Sequence, residues 1–466
     1  MKMIKRFSYS AVLFTILFLS IFSNPCFAQG VLNGDDLKAK YQENKVKILI
    51  VPGHDDESKT GTSFVGLYER DLNLQLSKGI YKLFQKDEHF SVFITRDNNG
   101  YLPQFADYFK NESASIEAFR DKYKQIMADL IANGTFKKQL NAIDHPTVDE
   151  EYGLRLYGIN KWANENDIDI IIHVHFNDYP GRSANKIGKY YGFSIYTPES
   201  QFVNSEISQN IARSVFAELN KIQSVSDYQP EHLGVVEDQE LITIGANSTL
   251  NAAALLIEYG YIYESQIINK KMRVLMFPEY AYKTYSGIVK FFNPDHKINK
   301  CDSVLLPHKF TGDLYFGMRN SPEVANLQAA LVCSGLYIGP ITGNFLDYTR
   351  QAVINFQIKN KADISAATGY VGAQTIKLLN KNEIEAISYT WDNDLYYGMR
   401  NNDDVKALQR ALTKEGVYSE EITGNFFGLT RQAVIDFQKK RGFSNVPNTG
   451  YVGPYTRKVL NGLYSK

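Results

Sequence analysis

The chain has 466 residues, of which 44% are hydrophobic and 22% charged, and its 51 basic residues balance its 51 acidic residues. Because single cores rarely organise more than about 250–300 residues, several domains are expected. This composition excludes disorder of the whole chain and multiple membrane spans. The absence of a basic excess also predicts that nucleic acid is not a partner.

The N-terminus has the organisation of an export signal. Three basic residues precede an apolar stretch at 11–22, and the small residue Ala28 follows. This order is typical of a signal peptide, and the stretch is too short to span about 30 Å of hydrocarbon comfortably. We therefore predict a signal peptide over residues 1–28, and a protein secreted to the cell wall or periplasm without stable membrane insertion after cleavage.

Two of the three cysteines remain after removal of the signal, which contains Cys26. Cys301 and Cys333 would then lie in a compartment where a disulfide can form. Their spacing carries no metal-binding signature. The sequence is compatible with a bridge between them and with two independent thiols.

From residue 47 to about residue 292, short apolar runs alternate with longer amphipathic stretches. This pattern predicts an α/β domain with a mostly parallel sheet and helices on both faces. The segment at about 100–151 interrupts the alternation with a polar, helix-prone sequence. We interpret it as an inserted helical lid, with a surface decoration as the alternative. The apolar runs are 48–51, 92–95, 168–176, 193–196 and 254–259.

The rest of the chain is an internal duplication. The segment 314–320 recurs at 395–401, and 341–345 recurs at 422–426, each 81 positions later. Helically spaced apolar residues separated by glycine-rich turns predict two small three-helix modules, which carry no Cys/His cluster and are therefore expected to bind rather than catalyse. The predicted domains are a catalytic domain at 29–300 and two repeats at 310–382 and 391–466.

A candidate metal site lies at the ends of the predicted strands. The first strand leads into His54, Glu69 begins the following helix, and the strand at 168–176 carries His173 and His175 on one face. Ligands gather at the carboxyl ends of strands in open α/β sheets. His54, Glu69 and one of the two later histidines would form a two-histidine, one-carboxylate site, which suits catalytic Zn²⁺ with one position open for water.

The last apolar run of the α/β domain ends in Glu258. A carboxylate at the end of a buried strand is costly unless it is paired, liganded or functional. We therefore predict that Glu258 is a general base.

These residues belong to motifs of a known family. The stretch from 47 to 292 resembles the zinc-dependent N-acetylmuramoyl-L-alanine amidases of the autolysin and cell-separation type. The resemblance implies one Zn²⁺ bound by His54, Glu69 and His175, with Glu258 as the catalytic carboxylate. His173 stands where the family commonly has a hydroxyl residue; without binding the metal it could support a ligand or donate to the transition state, and Asn177 could also support a ligand. The matching motifs are Pro52-Gly53-His54, Glu69 with Asn73, Thr95-Arg96, His175-Phe176-Asn177 and Glu258-Tyr259-Gly260.

The two repeats resemble a peptidoglycan-binding module with Leu-Gln, Gly-x-Phe and Ala-Val-x-x-Phe-Gln motifs. These are Leu327-Gln328, Gly343-Asn344-Phe345 and 352–357 in the first repeat, and 408–409, 424–426 and 433–438 in the second. The resemblance implies hydrolysis of the amide between N-acetylmuramic acid and L-alanine, with peptidoglycan as substrate and binding target. The sequence leaves open whether a protein activator displaces the insertion. A non-catalytic wall-binding protein and a zinc peptidase that cuts within the stem peptide are the alternatives. The chain departs from the family at Asp55-Asp56, where Gly-Gly is usual.

Overall fold

The computed structural model describes residues 33–55, 61–139, 143, 148–179, 181–183, 185–244, 248–360, 367–383, 389–418, 420, 422–443 and 449–464. The predicted signal peptide and Asp56 lie outside these residues. Within the described ranges, every helix is too short or too polar to cross a membrane.

Six strands form the central sheet, in the order β4-β1-β7-β10-β8-β9. All neighbouring pairs are parallel except β10 and β8, which are antiparallel. The prediction of a mostly parallel sheet is thus confirmed. The strands are β1 (Val46–Pro52), β2 (Ser63–Phe64), β3 (Leu67–Tyr68), β4 (Phe90–Ile94), β5 (Arg96–Asp97), β6 (Gly100–Tyr101), β7 (Ile170–Asn177), β8 (Ser194–Pro198), β9 (Val235–Asp238) and β10 (Ala253–Tyr261).

Helices cover both faces of this sheet, as the alternating pattern predicts. One face packs against α2, α6 and α8, and the other against α5. The helices of the first 300 residues are α1 (Gly34–Gln42), α2 (Glu69–Phe84), α3 (Pro103–Asn111), α4 (Ser113–Ala132), α5 (Glu150–Glu165), α6 (Ser205–Leu219), α7 (Ser265–Ile268) and α8 (Lys270–Phe292).

The alternation of side chains along β7 decides which face holds the histidines. Ile170, Ile172, Val174 and Phe176 enter the core beneath α2, α6 and α8. Because successive strand residues point to opposite faces, His173 and His175 lie on the face covered by α5. The candidate site therefore lies on the side of the sheet that carries the insertion.

The insertion contains two helices, α3 and α4, which pack against α5. The segment that follows α4 contacts the loop after β8 and the end of β9. The backbone N–H of Lys137 donates to Oε1 of Gln201 at 2.7 Å, and Nε2 of Gln139 donates to the backbone oxygen of Glu237 at 2.9 Å. The helical character is as predicted, whereas the role as a lid stays a prediction.

Each C-terminal repeat is a three-helix unit with its own core. The motif glutamine ties the unit together: Oε1 of Gln328 accepts from the backbone N–H of Gly343 at 3.0 Å, while Nε2 donates to Thr349 at 2.9 Å. Gln409 makes the equivalent bonds in the second repeat. The helices are α9 (Pro322–Cys333), α10 (Asp347–Lys359) and α11 (Ala373–Glu383), then α12 (Asp403–Lys414), α13 (Gly428–Lys440) and α14 (Pro454–Tyr464).

The first repeat is joined to the α/β domain by a disulfide and by packing. Cys301 and Cys333 form the bond, with their Cα atoms 5.0 Å apart, so the bridge that the sequence left open is present. The backbone N–H of Ile341 donates to the oxygen of Ile222 at 2.8 Å, and Ile341 shares a hydrophobic cluster with Met272 of α8.

Candidate metal centre

The turn after β1 presents the first histidine. His54 has a φ of +59°, a left-handed conformation that is uncommon for residues other than glycine. Its backbone N–H donates to the Tyr152 hydroxyl at 2.9 Å. A Cβ at the preceding Gly53 would lie 2.2 Å from the His175 ring. Glycine is therefore required where β1 and β7 bring the two histidines together.

Two side chains fix this turn by hydrogen bonds to its backbone. Nδ2 of Asn73 and Nη2 of Arg96 each donate to the backbone oxygen of Gly53 at 3.0 Å. Nε of the buried Arg96 also donates to the oxygen of Pro52 at 3.3 Å. The Asn and Thr-Arg motifs that accompany the predicted ligands thus fix the backbone that presents His54.

Glu69 is the first residue of α2, where the helix dipole favours a negative charge. Its Oε2 lies 3.1 Å from Nε2 of His54, and its Oε1 lies 3.1 Å from Nδ1 of His175. Burial alone would raise the pKa of this carboxyl. Charge interactions and hydrogen bonds with the two histidines outweigh burial and hold the pKa of Glu69 well below its usual value.

Glu69 also accepts from the backbone N–H of Thr62 at 3.0 Å. The adjacent Gly61 has a φ of +90°, and a Cβ there would lie 2.8 Å from the His54 ring. The loop before β2 therefore closes one side of the site. Nothing in the local sequence pattern distinguishes this loop from an ordinary turn, so its contribution is not predictable from the sequence.

The three predicted ligands form one group. A ligand atom from each of His54, Glu69 and His175 lies within 4.8 Å of the others. Burial lowers the pKa of His175, which favours the neutral imidazole that metals bind. Two imidazole nitrogens and one carboxylate oxygen at this separation can hold a metal ion.

His173 lies outside this group. It is 1% exposed, and neither ring nitrogen has a hydrogen-bond partner among the described residues. Burial, followed by repulsion from His175, lowers the pKa of His173 to about 3, so the ring is neutral. Of the two histidines on β7, His175 is therefore the one that faces Glu69.

Glu258 lies beside the group on the neighbouring strand. It is opposite His175 in the register of β10 and β7, and so on the same face of the sheet. Its Oε2 is buried, and no described residue hydrogen-bonds to it. Burial, then the negative charges of Glu69 and Glu231, raise the pKa of Glu258 well above its ordinary value. Such a carboxyl can take up and hold a proton near neutral pH.

Glu231 is a further buried carboxylate beside the site, and it was not among the residues predicted from the sequence. Its Oε1 accepts from Nδ2 of Asn177 at 2.7 Å and from the Tyr196 hydroxyl at 2.6 Å. Its Oε2 accepts from Tyr261 at 3.1 Å and from Ser226. Asn177 is thus bonded to Glu231, so its predicted support of the metal ligands stays a prediction. Glu231 ends a single 3₁₀ turn (Gln229–Glu231), which no periodic pattern marks.

Asp55, where the family usually has glycine, is also buried and paired. Its Oδ2 lies 3.0 Å from Nε of Arg155 on α5 and 3.1 Å from the Tyr101 hydroxyl. The aspartate that replaces the usual glycine is therefore neutralised by Arg155. It links the turn after β1 to the helix that supports the insertion.

A mostly parallel α/β sheet with this donor group at its strand ends defines the class: an α/β protein with a site that can bind a metal ion. Residues 48–290 match the N-acetylmuramoyl-L-alanine amidase family, and the chain belongs to that family. Residues 320–379 and 401–460 each match a peptidoglycan binding domain. Peptidoglycan is thus both the substrate and the binding target.

Solved amidase structures cover about half of the chain. No curated protein sequence matches it. The structures include the CwlD amidase from Clostridioides difficile in complex with the GerS lipoprotein (17% identity, 54% of this chain, 100% of that chain, TM-score 0.35). They also include Ami1 from Mycobacterium smegmatis (14% identity, 54% of this chain, 98% of that chain, TM-score 0.35). A third is the catalytic domain of CwlV from Bacillus (Paenibacillus) polymyxa (13% identity, 54% of this chain, 99% of that chain, TM-score 0.32). The family assignment rests on the match over 48–290.

Proposed function

We propose that the chain is a zinc-dependent amidase in which His54, Glu69 and His175 bind one Zn²⁺. The observation that supports this is the convergence of the three ligand atoms within 4.8 Å, in a chain of the amidase family. Two nitrogens and one oxygen suit zinc and leave one coordination position for water. When bound, Zn²⁺ would supply Lewis acidity towards water and the amide carbonyl.

Glu258 carries the proton transfers in this proposal. As water attacks the carbonyl carbon of the muramic acid lactyl group, Glu258 accepts its proton, and the new C–O bond replaces the C–N bond. The same carboxyl then gives the proton to the departing amine of L-alanine. Its position opposite His175 and its raised pKa suit both steps.

Digestion of purified peptidoglycan tests the reaction. We expect chelator-sensitive release of stem peptides with a free N-terminal alanine, identified by mass spectrometry. A new amino group elsewhere in the stem would identify a zinc peptidase instead. Absence of both zinc and release would identify a wall-binding protein. Zinc content without release would leave a binding protein or an enzyme inhibited by its insertion, and deletion of the insertion would separate the two.

A substitution separates the roles of Glu258 and of the ligands. Glu258→Gln should lower turnover of a soluble muropeptide by roughly 10²–10⁴-fold, because proton transfer is lost, while the zinc content stays at the wild-type level. Glu206→Gln, in an exposed position on α6, is the matched control. Normal turnover of Glu258→Gln would contradict the assignment.

We also propose the domain limits 29–300, 310–382 and 391–466, with a cleaved signal at 1–28, an extracellular or wall location and targeting by the repeats. Because the first repeat shares a cluster and a disulfide with the α/β domain, removal of 391–466 is the cleaner test. This truncation should impair wall hydrolysis more than muropeptide cleavage, since avidity is lost. An activator that displaces the insertion stays a prediction.

A further inference from the structure

Each repeat presents a pair of exposed tyrosines, and a short backbone bridge places them. Leu314 and Val371 exchange hydrogen bonds of 3.1 and 2.8 Å, and both side chains are buried. Because side chains alternate along extended backbone, the following Tyr315 and the preceding Tyr370 point away from the core. Their exposed fractions are 52% and 44%.

The pair in the first repeat is held in place. A Cβ at Gly372 would lie 2.8 Å from the Tyr370 ring, so this glycine lets the ring rest against the backbone. The Tyr370 hydroxyl donates to Asp313. The Tyr315 and Tyr370 rings are nearly parallel, at 19°, with their centroids 6.4 Å apart. The result is a preformed aromatic surface with a carboxylate at its edge.

The second repeat has the same construction. Leu395 and Val452 form the bridge, and Tyr396 and Tyr451 are 54% and 43% exposed. A Cβ at Gly453 would lie 2.5 Å from the Tyr451 ring. The Tyr451 hydroxyl donates to Asp394, the counterpart of Asp313.

Some other exposed apolar positions differ between the repeats. Tyr348 corresponds to Leu429, and Ile358 corresponds to Lys439, at the same offset of 81. The exposed tyrosines, with their aspartate and glycine, are retained although they contribute little to either core. Large exposed aromatic side chains that are fixed in place mark an interaction surface better than a packing requirement.

We propose that these two tyrosine pairs bind the glycan strands of peptidoglycan, rather than its stem peptides. A pyranose ring has an apolar C–H face and a rim of hydroxyls, which match a flat aromatic surface with a carboxylate beside it. A polymer of repeating sugars also suits two equivalent tyrosine pairs, whose weak contacts combine through avidity. The pairs differ at the carboxylate, since Asp394 in the second repeat also accepts from Nε of Arg457 at 2.8 Å. The inference rests on the wall targeting in the proposed function.

This assignment has a consequence for the reaction. Amidase cleavage removes the stem peptides but leaves the glycan backbone intact. The ligand of the tyrosine pairs therefore survives catalysis, and the enzyme stays bound to its polymeric product.

Co-sedimentation of the full chain tests the proposal. The probes are intact sacculi and glycan strands freed of stem peptides, and Glu258→Gln is the background so that the sacculi are not consumed. We expect binding to both probes. Tyr315→Ala with Tyr370→Ala should weaken binding roughly tenfold or more, and the additional Tyr396→Ala and Tyr451→Ala should weaken it further, since both sites of the avidity are lost.

Tyr348→Ala with Leu429→Ala is the control, because it removes exposed apolar side chains outside the bridges and should leave binding unchanged. Binding to sacculi without binding to peptide-free glycan would overturn the proposal, as would unchanged binding by the fourfold tyrosine variant. In the active background, the tyrosine variants should cleave soluble muropeptide at the wild-type rate. This second assay distinguishes failure of the amidase assignment from failure of the glycan assignment.

Discussion

Gly53 lies between two candidate metal ligands, and its missing side chain leaves room for the His175 ring. In Gly53→Ala, the new Cβ would stand 2.2 Å from that ring. We expect loss of bound zinc and of activity, together with about 1–3 kcal/mol of destabilisation from overpacking. Metal analysis and thermal unfolding measure both effects. Gly312→Ala, where no atom lies within 4 Å of the new Cβ, is the control; equal behaviour of the two variants would contradict the prediction.

Arg96 supports His54 through the backbone that it holds. Arg96→Lys loses the fork that donates to the oxygens of both Pro52 and Gly53. Because residues that orient metal ligands typically contribute 10–100-fold, we expect zinc affinity to fall by about that factor. Competition with a chelator measures the affinity, and a wild-type value would show that Asn73 alone suffices to hold the turn.

The sequence allowed prediction of the candidate site residues that lie on or next to regular strands and helices. His54 follows β1, Glu69 begins α2, and His175 and Glu258 lie near the ends of β7 and β10. The topology of a parallel sheet therefore brings them to one edge. Glu231 could not be found in this way. It reaches the site from a turn whose course depends on contacts far apart in the sequence.

At the scale of elements, α8 is fastened to the segment that leads to the first repeat. Tyr282 and Lys290 of α8 both donate to the carboxylate of Asp302, and Lys283 donates to its backbone oxygen. Burial would raise the pKa of Asp302, but the hydrogen bonds from Lys290 and Tyr282 lower it overall. The charged form of Asp302 therefore stabilises the fold.

Asp302→Asn removes the charge and keeps a residue that tolerates the φ of +49° at this position. We expect a loss of about 1.5–3 kcal/mol in unfolding free energy at neutral pH, as for hydrogen bonds to charged groups. Since the folded-state pKa of Asp302 is lowered, its contribution is complete above the unfolded-state pKa and is lost as the pH falls through the folded value. Urea unfolding should therefore show the two proteins converging on acidification; a difference that grows in acid would contradict this.

The apolar runs predicted the positions of β1, β4, β7, β8 and β10, because buried strands require them. They did not predict the antiparallel direction of β8. Strand direction depends on the path of the connecting chain, which apolar periodicity does not encode. For the same reason, the sequence predicted helices in the insertion but not their packing against α5.

At the scale of the whole molecule, the first repeat is part of one covalently closed unit with the α/β domain. Cys301 and Cys333 are 32 residues apart in sequence. Cys301→Ser with Cys333→Ser should lower stability by about 2–4 kcal/mol, mainly because the unfolded chain gains freedom. Thermal unfolding of the variant should match that of the wild type under reducing conditions. A further loss on adding reductant to the variant would show that the disulfide is not the reductant-sensitive element.

The redox state of that disulfide also depends on the compartment in which the protein is located. Thiols stay reduced in the cytosol, so the covalent closure between the α/β domain and the first repeat is a step for an oxidising compartment. Before export, only packing and hydrogen bonds would hold the first repeat against the α/β domain. If the chain is exported as proposed, the ratio of free to bridged thiols in a sample should report the exported fraction.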